Sequence, residues 1–193
     1  DDDVAALAAL DGVEAAEGGW SETVYTAVGS ASEKVDVKAL SPSGMNEPLV
    51  LEGRLPEAPG EIAVTQRYLK DSGAAIGDTV SFHDAVGGDE GTAATDSAST
   101  EVFERGEYTI VGSVLDPMEI NAGEGTMSFR SSGGSQYSFF VLEDDVVDTS
   151  VYTVAYIVVE GADGPLCYSA EYEGVVDDVL QSVEDARAER ESA

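Results

Sequence analysis

Leu49-Val50-Leu51-Glu52-Gly53-Arg54-Leu55-Pro56-Glu57-Ala58-Pro59-Gly60-Glu61-Ile62-Ala63-Val64 sets the pattern for the middle of the chain. Three apolar residues lead into a turn at Glu52-Gly53-Arg54-Leu55-Pro56, and a short strand resumes at Glu61–Val64. Gly53 and Gly60 stand on either side of a Pro-bearing loop and permit turn geometries that a side chain resists. Thr65 is placed to cap a brief helix through Leu69 that stops at Gly73. Beyond it, Ile76-Gly77-Asp78-Thr79-Val80-Ser81-Phe82 reads as a turn feeding a strand.

Working outward, Tyr108–Val114 resumes the sheet until Pro117, and Tyr137–Leu142 and Tyr152–Val159 are the last strands. Residues 84–101 and 121–136 are polar, Gly- and Ser-rich loops with almost no large apolar residues. On the N-terminal side, Glu22–Val28 and Lys34–Leu40 are strands joined by Gly29-Ser30-Ala31-Ser32. Lys34-Val35-Asp36-Val37-Lys38 alternates as a strand with one wet face should. Both extremes read as helix. Asp3 is placed to cap a first helix carrying Val4, Leu7, Ala8 and Leu10 on one face, stopped by Gly12. From Ser169 onward Tyr172, Val176, Val179 and Val183 form a stripe at three- and four-residue spacing, with Val175 and Leu180 beside it. Helical ends around a strand-rich middle predict an α+β fold.

Charge narrows the function classes. The 193 residues hold 39 acidic and nine basic side chains, a formal net charge of -30 with 42% hydrophobic residues. That hydrophobic share is ordinary for a globular chain. No two of the nine cations are adjacent, so no positive stripe exists to displace counterions from nucleic acid or to meet anionic lipid. The acidity suits a highly solvated surface. A single cysteine, Cys167, excludes an internal disulfide and Cys₂ or Cys₄ zinc sites. Its plain reading is a small inert residue, the alternatives an intermolecular disulfide or reactive thiol. No run approaches the roughly 20 apolar residues that span a bilayer. The chain opens Asp1-Asp2-Asp3 without methionine and stops inside a charged helical pattern. Both ends have the character of cuts, and the expectation is a segment of a larger membrane protein whose last helix runs on.

The residues give no catalytic set. His83, the one histidine, precedes Asp84 at a strand end, and no G-x-S-x-G elbow accompanies it. A glycosidase-like carboxylate pair needs an apolar cleft with aromatic walls, and there is one tryptophan, Trp20, with no aromatic-acidic cluster. Calcium is the strongest cofactor candidate, through Glu143-Asp144-Asp145 with Asp148 or Asp84 with Asp89 and Glu90. Neither matches the D-x-[DN]-x-[DN]-G loop, and both read as solvated acidic faces. Gly123-Glu124-Gly125-Thr126 carries an acid where a phosphate loop needs a base. The Tyr172-Val176-Val179-Val183 stripe reads as a packing face. No catalytic, cofactor-binding or metal residue is assigned.

Four segments in order resemble the extracytoplasmic, MacB-like periplasmic core domain of FtsX/MacB-type ABC transporter permeases, in its Gram-positive version. They are Leu51–Pro56 with Pro59–Val64; Ile76–Val80 followed by Tyr108–Val114 and Pro117; Tyr152–Ala162; and Glu171-Tyr172-Glu173 opening the last helix. The resemblance implies a small α/β subdomain from residues 1–45 and 146–193, with a mostly-β subdomain, 46–145, inserted in it. It implies a place outside the cell membrane, between two membrane helices of the parent permease. ATP is then hydrolysed elsewhere, by a cytoplasmic ATPase subunit or domain. The domain would couple membrane-helix motion to an extracytoplasmic lipoprotein, peptide or cell-wall partner, and is itself neither an enzyme nor membrane-inserted. The alternative is a secreted acidic binding or adhesion module, with calcium as its ligand.

Overall fold

The computed structural model describes residues 2–83, 102–103, 106–118, 135–166 and 169–191. Residues 84–101 and 121–134 of the polar loops, with Asp84, Asp89, Glu90 and Gly123–Thr126 among them, and Cys167 fall outside that set. The chain divides into two compact units, one made of residues 1–19 with 150–193 and the other of 20–149.

The first unit joins the two ends of the chain. Helix α1 (Asp2–Ala8) leads to strand β1 (Val13–Gly19). β1 pairs antiparallel with the last strand, β9 (Val154–Val159), from Val13 opposite Val159 to Gly19 opposite Val154. Helix α3 (Ala170–Glu191) completes the unit. Its stripe follows the expected period: Tyr172, Val175, Val176 and Val183 are half-buried and Val179 is buried, whereas Leu180 is exposed. Gly12 turns the chain with a φ of 82°, and a Cβ there would lie 2.8 Å from a Val179 methyl. The glycines at the end of β1 make room for rings, since a Cβ at Gly18 would fall inside the Tyr152 ring and one at Gly19 against Tyr156.

The second unit holds β2 (Ser21–Val28), β3 (Ala31–Ala39), β4 (Leu49–Gly53), β5 (Glu61–Thr65), α2 (Gln66–Ser72), β6 (Thr79–His83), β7 (Glu107–Leu115) and β8 (Tyr137–Val141). The strands run β4-β7-β5-β8-β3-β2-β6, and β6 pairs again with β7. This last pairing closes β7, β5, β8, β3, β2 and β6 into a ring, which leaves no free edge along most of its circumference. One side of β7 is shared, residues 107–109 by β6 and residues 112–115 by β4. Most neighbours are antiparallel, but β3–β8 and β5–β7 are parallel.

Register sorts the side chains. Val35 and Val37 stand opposite Tyr137 and Phe139, and Phe139 meets Phe82 of the non-neighbouring β6 at 6.0 Å between ring centres. These residues fill the ring, with Ile62, Val64, Tyr108 and Ile110 all buried. Tyr68 of α2 packs edge-on against Tyr137 and Phe139. The Tyr137 hydroxyl donates to Asp71 at 3.1 Å. Burial first, and that carboxylate second, push its phenol up to about 12. Outside the ring Ala63, Val114 and Phe140 form a second cluster with Leu40 and Leu55. β5 and β8 are therefore buried on both faces, with Ile62-Ala63-Val64 and Phe139-Phe140-Val141 as their apolar runs.

The fold is α+β. In the described chain β2 and β3 are built into the ring, because β3 forms a parallel ladder with β8. β1 stands in the terminal unit.

Candidate interaction surface

The opening stretch, 49–65, builds the one conspicuous surface feature of the described ring. β4 lies against β7 through two glycines that face each other in register, Gly53 and Gly112. A Cβ on Gly53 (φ 73°) would sit 2.3 Å from the Val111 carbonyl oxygen, and one on Gly112 would sit 2.1 Å from that of Arg54. Only bare backbone fits there. Arg54 N–H then donates to the Val111 carbonyl at 3.1 Å.

The loop that follows is held by an ion pair. Both terminal nitrogens of Arg54 donate to the two oxygens of Glu61, each at 2.6 Å. Glu61 also accepts the backbone N–H of Glu57 (2.9 Å) and Ala58 (3.2 Å). The bidentate hydrogen bonds from Arg54, and next the Glu57 N–H, hold the Glu61 carboxyl at about 2, far below the usual carboxylate range. Asp145 closes the loop from the other side, its buried carboxylate accepting Gly60 N–H at 3.0 and 3.2 Å. A smaller clamp precedes β4: buried Asn46 accepts the Ser41 N–H (2.7 Å) and donates to the Ala39 carbonyl (2.8 Å).

Rigid support on one side leaves an apolar outer side. All five β4 residues are exposed. Leu49 is 63% exposed and its cross-strand partner Leu115 46%, with Val50, Leu51 and Met118 also on the surface. Exposed large apolar residues gathered on one strand pair make it the candidate interaction surface of the ring. A register shift between Val50 and Glu52 kinks this edge, the device that protects edges from indiscriminate pairing. Beside the patch, Lys38 donates to Asp116 at 2.6 Å, with that carboxylate fully buried, and its amine lies 5.8 Å from the Phe140 ring centre. Asp116 also accepts the Met118 N–H at 2.8 Å and so anchors the chain leaving the patch.

The residues weighed for chemistry have other places. His83 is the last residue of β6, opposite Tyr25 of β2. Glu143, Asp144 and Asp145 form a single 3₁₀ turn in which Asp145 points inward to Gly60, so the triplet is divided between structure and solvent. Asp148 is exposed. Among the described residues no three His, Cys, Asp or Glu side chains gather to hold a metal ion, and no helix is long and apolar enough to cross a membrane. The exposure of Leu49-Val50-Leu51 was not legible in sequence, because an exposed apolar strand and a buried one share the same pattern.

No family model and no curated protein matches this sequence. Among solved structures, the chain is similar to the extracellular domain of the noncanonic ABC-type transporter YknZ from Gram-positive bacteria, at 10% identity over 97% of this chain and 83% of that one, with a TM-score of 0.46. It is also similar to the periplasmic region of MacB from Actinobacillus actinomycetemcomitans, at 10% identity over 95% and 73% of the two chains, with a TM-score of 0.43.

Proposed function

We propose that this chain is the extracytoplasmic domain of an FtsX/MacB-type ABC transporter permease. The observation that carries the reading is the ordered set of sequence segments, from Leu51–Pro56 to Glu171-Tyr172-Glu173, that resembles this family along most of the chain. Two properties of the folded chain support it. The first two of those segments meet at the Gly53–Gly112 junction, so their residues serve one structural purpose. A domain carried between two membrane helices also needs its ends side by side. Arg190 in α3 pairs with Asp3 at 2.8 Å and donates to the Asp2 carbonyl at 3.2 Å.

In this reading ATP is hydrolysed by a cytoplasmic ATPase subunit or domain, and α1 and α3 carry motion between membrane helices and the outside. The exposed β4–β7 face is where an extracytoplasmic lipoprotein, peptide or cell-wall partner meets the domain. The test is the parent reading frame together with surface labelling of intact cells. Hydrophobic helices of about 20 residues on both sides, with the domain labelled from outside, are expected. A cleavable signal peptide and a stop codon soon after Ala193 would replace the permease by a secreted binding module.

A further inference from the structure

We propose that the unit built from the two chain ends folds as a function of ionic strength: it is ordered where salt screens its carboxylates and opens in dilute solution, while the ring stays closed. The inference rests on charge and burial compared unit by unit. Residues 1–19 with 150–193 hold 16 acidic side chains against 2 basic, a balance of -14 in 63 residues. Residues 20–149 hold 23 against 7, a balance of -16 in 130. The terminal unit thus carries nearly twice the negative charge per residue.

It also has little with which to oppose that charge. Among the described residues eighteen hydrophobic side chains are buried, and Val179 alone of these belongs to the terminal unit. Its sheet has two strands, a size that is marginal in water without further packing. Its packing rests on half-buried faces of α1 and α3. The ion pair between Arg190 and Asp3 favours closure, but both side chains are largely exposed, 47% and 81%, and such pairs contribute little.

Geometry sets the range over which the repulsion acts. α3 has 22 residues, about 33 Å of helix at 1.5 Å per residue. Glu171, Glu173, Asp177, Asp178, Glu184 and Asp185 all lie exposed along it. The screening length is about 30 Å at 0.01 M salt and about 3 Å at 1 M. In dilute salt every one of these carboxylates feels the others and those of β1; in concentrated salt only immediate neighbours interact. Opening the unit lets the charges separate, so dilution favours the open form.

The experiment is amide hydrogen exchange on the whole chain at 0.01, 0.1 and 1 M KCl. Protection of the β1 and β9 amides is expected to rise at least tenfold from the lowest to the highest salt, with that of Val37 and Phe139 in the ring moving far less. The sextuple variant Glu171→Gln, Glu173→Gln, Asp177→Asn, Asp178→Asn, Glu184→Gln and Asp185→Asn is expected to keep at least part of the high-salt protection at 0.01 M. Equal protection of β1 at all three concentrations would overturn the proposal. So would a variant with the full salt response of the parent, since the carboxylates of α3 would then not be its source. Magnesium chloride at matched ionic strength should act like KCl; full protection from millimolar magnesium alone would mean ion binding instead of screening.

Discussion

Glu61 and Gly112 do unlike work at the same junction, and each can be tested alone. Glu61 titrates at about 2 when folded against 4.5 in a free chain. Because its folded value is depressed, its contribution to stability is fully present above pH about 5 and drains away between pH 4.5 and 2. Arg54→Met should return the Glu61 carboxyl towards its ordinary range in a carbon-13 NMR titration. The same variant should lose stability at pH 6 and differ little from the parent near pH 2. Gly112 offers a steric test. Gly112→Ala places a methyl 2.1 Å from the Arg54 carbonyl oxygen, where backbone must move, and should cost about 3 kcal/mol or more in urea unfolding. Gly77→Ala, with a φ of 101° but open space around it, should cost only about 1 kcal/mol, the strain of the left-handed backbone. Equal losses would mean that the close approach of Gly112 to Arg54 costs no more to disturb than the positive φ of Gly77.

At the scale of elements, α3 shows what periodicity can and cannot say. Tyr172, Val176, Val179 and Val183 were legible as one face because helical spacing is a property of the local sequence. Leu180 was read beside that face and is 52% exposed, since how far a stripe extends depends on what packs against it. Val179→Ala should therefore cost about 2 kcal/mol and Leu180→Ala less than about 0.5 kcal/mol, measured by thermal unfolding in 1 M salt. β1 was not legible at all. Val13-Glu14-Ala15-Ala16-Glu17-Gly18-Gly19 has two glycines and alanines in place of β-branched residues, and it is a strand because Tyr152 and Tyr156 need the space over Gly18 and Gly19. β4 was read only to Leu51, because Glu52-Gly53 is turn chemistry in isolation and becomes strand only against β7. Of the candidate interaction surface, the Gly60 turn was visible in advance. The Arg54–Glu61 pair, seven residues apart across a loop, was not.

For the whole molecule, the grouping of β3 with the ring was the part least accessible to local reading. It depends on β3 finding β8 a hundred residues away, a choice made by a buried parallel ladder and not by any residue near position 45. The ring carries its own closure and nearly all of the buried hydrophobic side chains among the described residues. A fragment of residues 20–149 should thus fold by itself, with dispersed amide NMR signals and a single cooperative melt. A fragment that remained unfolded would show that the ring depends on the terminal unit for its stability.

The pairing of β1 with β9 bears on how the chain is made. Val13 finds its partner in Val159, 146 residues later, and at a synthesis rate of about 5–20 residues per second the wait is roughly 7 to 30 s. During that time Val13–Gly19 has left the ribosome as a strand without a sheet. Most strands left bare for so long would invite aggregation, but one with Glu14, Glu17 and two glycines in seven residues is a poor template for self-association. The composition that hides β1 from a reader of the sequence also keeps it harmless until its partner is synthesised.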